Sequence, residues 1–232
     1  MIATAAERFR RCSRSARARS PIAKRPRAIG IDPDTPRLEC PALDRDLPNP
    51  YWFLRHRWDA LAGHVEHWAA SITHGDLNLN NILFDERNNI YVIDFAETRI
   101  RNVASDFARL EPLVMLQWTR IAGAADAENV LRAIDRSLAG SIWDRPPEPI
   151  GSDDPMLGRA VTLVGDLRSL AAARVGDPSH ETAYLLPLLQ WSMPVVAFQQ
   201  VEPERKRLAA WASARILEKI LETMDLPGDS AG

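Results

Sequence analysis

Cysteine is scarce in these 232 residues: Cys12 and Cys40 are the two present, both outside the apolar segments. They offer neither metal-ligand spacing nor a disulfide framework, so a reducing cytoplasm is the default setting. Long apolar runs are lacking too. The nearly all-apolar stretch Tyr184 to Phe198 has fifteen residues, with Pro187 and Pro194 inside it. It is too short and broken for an ordinary membrane span, and predicts a buried, kinked helix. Glycine and lysine are sparse early on: Gly30, Gly63 and Lys24 are all that precede Ile72. There are no internal repeats, and the net charge is only −2.

What is present reads as a soluble globular chain, 46% hydrophobic and 26% charged, long enough to bury a full core. The near-neutral total hides an asymmetry. Residues 1–28 hold nine Arg or Lys against the single acid Glu7, giving +8 and leaving −10 for the rest. From Met1 to about Pro50 there are few large apolar residues, many prolines and no usable periodicity, which predicts a poorly structured tail. Its basic start is open to three readings: a transit peptide, a basic arm, or a solvated tail or wrongly assigned start. With no interleaved aromatic beyond Phe9, nucleic acid is not favoured as a partner.

The pattern changes at Tyr51. Leu54, Trp58, Leu61, Val65, Trp68 and Ile72 recur at steps of four and three, predicting an amphipathic helix over Tyr51–Ser71. His64 and His67 sit three apart on it, but no third ligand is placed nearby, so they read as surface histidines. Further helices are expected around Asp106–Leu110 (kinking at Pro112), Ala127–Leu138, Met156–Arg174 and after Pro203.

The most informative stretch runs from Ile72 to Phe95. Two short apolar runs, Ile82–Phe84 and Ile90–Ile93, flank the polar connection Asp85–Asn89 and predict a β-hairpin. A polar loop, His74 to Asn81, enters the first strand, and Asp94 leaves the second. The hairpin therefore brings Asp76, Asn81 and Asp94 together. Two carboxylates and an amide oxygen are hard donors, suited to Mg²⁺ and to a hydroxyl awaiting deprotonation. Leu77 and Leu79 alternate with Asn78 and Asn80, so the leucines are expected to turn inward and the amides toward the cleft.

His74-Gly75-Asp76, Asn81 and Asp94-Phe95, followed by Ser105-Asp106-Phe107-Ala108-Arg109-Leu110, resemble the catalytic segments of the aminoglycoside and choline phosphotransferases of the protein-kinase-like superfamily. The resemblance covers Ile72 to about Glu111. It implies Asp76 as catalytic base, Asn81 and Asp94 as Mg²⁺ ligands bridging ATP phosphates, and Asn81 with Asn78 near the cofactor. It also implies that His74 and Asp106 support the loop without doing chemistry. Many kinases carry lysine where Asn78 stands, so less electrostatic help is expected here. Only eleven residues separate Asp94 from Asp106, too few for a regulatory activation segment, which favours a small hydroxylated acceptor over a protein.

The expected fold is therefore α+β and predominantly helical: a kinase-like C-terminal lobe over residues 51–232, with a small hairpin. A complete enzyme of this kind needs an upstream sheet with a glycine-bearing loop and a strand lysine, and neither is legible before Tyr51. The expected partners are accordingly a small substrate and a separate N-terminal lobe or partner chain. The alternatives are a catalytically inactive interaction module or a truncated gene product.

Overall fold

The computed structural model describes residues 26–57, 61, 69–149 and 154–226. Among the described residues, six strands form three two-stranded antiparallel sheets. These are β1 (Arg37–Cys40) with β2 (Arg45–Pro48), β3 (Ala70–Thr73) with β6 (Arg99–Asn102), and β4 (Ile82–Phe84) with β5 (Ile90–Val92). The helices are α1 (Pro50–His56), α2 (Ser105–Leu113), α3 (Ala124–Ser137), α4 (Pro155–Val175), α5 (Thr182–Ser192) and α6 (Pro203–Thr223). The chain is thus α+β and mostly helical. Among the described residues, no helix is long and apolar enough to cross a membrane.

Residues 26–50, expected to be part of an unstructured tail, are ordered and belong to the core. Leu38, Cys40 and Leu47 are buried on the β1–β2 hairpin, a two-residue alternation too short to stand out in the sequence. Three of the prolines that argued for disorder sit where a missing N–H costs nothing. Pro26 and Pro41 open 3₁₀ turns, and Pro50 takes the first position of α1. Asn49, fully buried, caps α1 by accepting from the Tyr51 N–H at 3.0 Å, and its Nδ2 donates to the carbonyls of Asp32 and Thr35. Long-range bonds then anchor the hairpin. Trp211 of α6 donates to the Glu39 carbonyl at 3.0 Å, and Arg45 pairs with Glu218 of α6 and Asp135 of α3. The domain boundary expected at residue 51 therefore moves upstream.

The helix expected over Tyr51–Ser71 is also shorter. α1 ends at His56, and Ile72, the last member of the expected stripe, lies on β3 opposite Ile100. Pairing with β6 overrides the helical pattern, and β-branched Ile72 and Thr73 favour it. Leu61 is helical and fully buried, while Trp58, His64, Val65, His67 and Trp68 fall outside the described residues.

The later helices follow their sequence stripes closely. Ala127, Val130, Leu131 and Ile134 of α3 are buried, as are Leu157, Ala160, Val161, Val164 and Leu167 of α4. Leu170 departs from its expected inward position and is exposed, because Ala171, four residues after Leu167, takes that face. α5 is buried along most of its length and runs on into a 3₁₀ turn, Met193–Ala197, after Pro187 has broken its hydrogen-bond ladder. Pro112 near the end of α2 is followed by a wide π-helical turn, Val114–Trp118, which answers the expected kink.

Four helices meet at one buried ionic cluster. Arg168 of α4 donates from Nε and Nη2 to the Glu111 carboxylate of α2 at 3.0 and 2.6 Å. Its Nη1 donates to the Ser137 carbonyl at the end of α3. The Tyr184 hydroxyl of α5 donates to Glu111 at 2.7 Å. Burial, and then the adjacent Glu111 charge, push the Tyr184 phenol well above its ordinary value, so it stays a donor. Burial opposes the Arg168 charge, but Glu111 and Tyr184 outweigh it and hold the guanidinium above its usual range.

Candidate active site

The loop after β3 is braced from α2. The Asp106 carboxylate, in the first helical turn, accepts the His74 N–H at 2.7 Å and the Gly75 N–H at 3.0 Å. Gly75 has φ +84°, and a Cβ there would lie 2.4 Å from the Glu97 carbonyl oxygen, so only glycine fits. His74 is buried, and both ring nitrogens are engaged. Nε2 lies 2.8 Å from the Ile93 carbonyl, and Nδ1 accepts the Asp76 N–H at 3.3 Å. These partners assign the neutral imidazole with its proton on Nε2. The ring also packs on Phe95, with centroids 5.0 Å apart. This histidine ties the loop to the end of β5.

The turn of the hairpin is built by Asp85. Its carboxylate accepts the N–H groups of Arg87 and Asn89, the Asn89 side-chain amide and the Tyr91 hydroxyl. The Asn89 amide foremost, with the backbone donors, holds the Asp85 carboxyl below its ordinary value. Asn88 takes the left-handed conformation, φ 60°, which asparagine tolerates. The register pairs Ile82 with Val92, Leu83 with Tyr91 and Phe84 with Ile90, within a residue of the expected strands.

The hairpin stitches the site residues together. The Asn81 side-chain Nδ2 donates to the Asp76 carbonyl at 3.0 Å, and the Asn81 carbonyl accepts the Ile93 N–H at 3.0 Å. Asn81 thus links Asp76 to Ile93, the residue before Asp94, itself eighteen positions from Asp76. Asp94 is exposed and left-handed, φ 64° and ψ 63°, and its carboxylate has no hydrogen-bond or ion-pair partner among the described residues. Asn81 is buried, and its Oδ1 is likewise without a bonded partner. The side chain of Asn78 is used differently. Its oxygen caps the 3₁₀ turn Leu79–Asn81 by accepting the Asn80 N–H, and its amide donates to the Asp76 carbonyl. That carboxamide, a candidate for cofactor contact, works inside the loop. Of the two leucines expected to point inward, Leu77 is half-buried and Leu79 is exposed.

One site residue went unrecognised in the sequence. Arg109 of α2 forms an ion pair with Asp76 Oδ1, donates from Nε to the Leu77 carbonyl at 2.9 Å, and lies 3.9 Å from the ring centroid of Trp191 on α5. Burial, the leading influence, lowers the basicity of this guanidinium, and the Asp76 charge acts against it. A signal for it existed. Arg109 stands three residues after Asp106, so whatever brings Asp106 to the loop brings Arg109 too.

The chain belongs to the ternary complex associated domain 9 family. That family matches residues 16–193, most of the chain and all of the site. No curated protein and no solved structure matches it.

The donor set can be tested against the metal that the loop's residues suggest. Asn81 Oδ1 and the Asp94 carboxylate are unpartnered hard oxygens, which fits Mg²⁺ held by few protein ligands together with water and phosphate. Among the described residues, no group of three or more His, Cys, Asp or Glu is placed to cage a metal. The site is also an open face. The surface has hollows of about 400 Å³ beside α6 and about 660 Å³ beside α4, and no residue from His74 to Phe95 lines either. Around the loop, apolar side chains stand in solvent. Of thirteen large apolar residues exposed among the described ones, ten lie between Ile72 and Ile100, including Phe84 at 67%, Ile90 at 63% and Phe95 at 59%.

The Asp106 brace predicts a measurable penalty. Asp106→Ala leaves the His74 and Gly75 N–H groups without their acceptor, each a partly buried donor. The expected loss is roughly 1–3 kcal/mol. Amide exchange should speed up at His74 and Gly75 and stay unchanged in α6. Unaltered exchange at those two amides would refute the brace.

Proposed function

We propose that this chain supplies the catalytic-loop half of a phosphotransfer site. It would act with ATP and Mg²⁺ on a hydroxyl of a small molecule, in a kinase-like C-terminal lobe. The observation that carries this reading is the set Asp76, Asn81 and Asp94. It is held on one braced loop and hairpin, with the Asp94 carboxylate and Asn81 Oδ1 left unpartnered. In this mechanism, Asp76 accepts the hydroxyl proton at Oδ2 while the hydroxyl oxygen bonds to the γ-phosphorus and the bridging bond to ADP breaks. Asn81 and Asp94 would hold the Mg²⁺, which when bound offsets phosphate charge. Asp106 and His74 keep the loop in shape.

The exposed apolar surface supports a shared site. A two-stranded hairpin is marginal by itself in water, and β4–β5 is apolar on both faces, Phe84 and Ile90 on one and Leu83 and Tyr91 on the other. Such a surface marks a place where another polypeptide layer packs. The family's description, a domain associated with a ternary complex, accords with that setting. The same surface also favours a second reading, a non-catalytic interaction module that uses the hairpin to bind its partner.

Positioning supplies most of the catalysis in phosphoryl transfer, and an open face positions poorly. The isolated chain is therefore expected to release ADP near background with aminoglycosides, choline or sugars. Adding the polypeptide that covers the hairpin should raise the rate. Saturable sub-millimolar Mg-ATP binding with substrate-dependent turnover by the pure chain would overturn the shared-site reading. If Mn²⁺-nucleotide left the amide resonances of His74–Phe95 unbroadened even in the complex, phosphotransfer itself would be refuted and the interaction module favoured.

A further inference from the structure

Arg109 makes three contacts, one each with Trp191, Leu77 and Asp76. Its guanidinium carbon lies over the Trp191 ring, 3.9 Å from the centroid, and its Nε is tied to the Leu77 carbonyl at 2.9 Å. Nη2 is thereby aimed at Asp76 Oδ1. Arg109 is mostly buried, its side chain 16% exposed, whereas the Asp76 side chain is 39% exposed. Asp76 Oδ2 has no bonded partner among the described residues. With one carboxylate oxygen held from the helical side, the other is the one turned to solvent.

From this geometry we infer that Arg109 is a positioning residue. By occupying Oδ1 it selects the orientation in which Asp76 presents Oδ2 to an incoming hydroxyl, and Trp191 holds Arg109 in place to do so. This inference rests on the phosphotransfer reading for its chemical consequence, but the clamp itself does not. A planar fork that lies over the ring and bonds at two edges is needed, which lysine cannot supply. The clamp also ties the loop to α5 through a side chain of α2, so the orientation of Asp76 depends on the helical body and not on the loop alone.

Two readouts separate the clamp from the reaction. The first uses the full chain labelled with 5-fluorotryptophan, in which the Trp191 resonance is identified by its loss in Trp191→Phe. Asp76→Asn should shift that resonance, since removing the charge loosens Arg109 on the ring. Arg109→Gln and Arg109→Lys should shift it further, and Asp94→Asn should leave it in place. A Trp191 resonance that ignores Asp76→Asn yet moves in Arg109→Gln would reduce Arg109 to a packing residue and overturn the inference. The second readout is kinetic, in the completed complex. Arg109→Gln should lower kcat by roughly a hundredfold with KM for Mg-ATP little changed, the effect of misaiming a reacting group. Arg109→Lys should not restore it. An unchanged kcat in Arg109→Gln, or full recovery with lysine, would refute positioning by the fork. If the complex proves to have no phosphotransfer at all, the functional reading falls, and the fluorine result alone still decides the clamp.

Discussion

Arg168→Met is expected to destabilise the fold by about 3–5 kcal/mol, the cost of breaking a buried ion pair from one side. Arg168 is 1% exposed, and Glu111 is 5% exposed. The substitution removes both guanidinium bonds to the Glu111 carboxylate and leaves the Ser137 carbonyl without its Nη1 donor. Tyr184 alone then remains to solvate a buried charge. For a chain of this size, the loss corresponds to a fall in Tm on the order of 10 °C. Because the cost is that of an orphaned carboxylate and not of a lost attraction, Glu111→Met combined with Arg168→Met should recover much of it. Thermal denaturation of the two single variants and the double variant decides the matter. If the double variant loses as much as the two singles added together, the cluster is not coupled and the argument fails. Four helices converge there, so the same variants should also loosen α2, the helix that carries Asp106 and Arg109 to the loop.

The second large effect is functional and separates two carboxylates by role. On the phosphotransfer proposal, and in the complex it calls for, Asp76→Asn is expected to lower kcat by about 10²–10⁴-fold, the usual contribution of a positioned general base, while Mg-nucleotide affinity stays largely intact. Asp94→Asn is expected to do the reverse first, weakening Mg-nucleotide binding by at least about tenfold, which is about 1.4 kcal/mol. Asparagine is the right replacement at both positions. At Asp94 the backbone has φ 64°, a conformation asparagine tolerates, so the loss reports the charge and not a refolded loop. At Asp76 it keeps the size of the side chain and an oxygen for Arg109 while abolishing the proton acceptor. Isothermal titration of Mg-ATP against each variant is the deciding measurement. Equal losses of affinity would defeat the assignment of distinct roles, and undiminished turnover in Asp76→Asn would remove the base from the mechanism.

Both predictions draw on contacts of different legibility. The hairpin was readable from local chemistry alone: β-branched and aromatic runs, an Asn-rich connection, and a spacing that returns Asp94 to the entry of β4. The stripes of α3, α4 and α6 were readable for the same reason, since a helix repeats its face every few residues and its pattern survives without knowledge of the partner. The bracing aspartate, Asp106, was picked out through resemblance, and the structure places its carboxylate on the loop's N–H groups. Asn78 is less legible, because an asparagine beside a loop turn looks the same whether it faces a ligand or caps the next turn.

What the sequence by itself determined is the set of periodic elements and the residues at their ends, because those depend on neighbours a few positions away. It determined that Asp76, Asn81 and Asp94 share a hairpin, and that the later chain folds into helices with one apolar face each. Tertiary structure alone decided which faces met. It drew residues 26–50 into the core, where Leu38, Cys40 and Leu47 are buried on a hairpin packed against α6. It turned Ile72 from helix to strand by offering β6 as a partner, and it set Arg109 between Asp76 and Trp191. It paired Arg168 with Glu111, fifty-seven positions away. Burial, ion pairing and strand exchange depend on distance in space, and no periodicity along the chain encodes them. The exposed apolar face of the hairpin belongs with these, since only a folded chain shows which side chains were left uncovered.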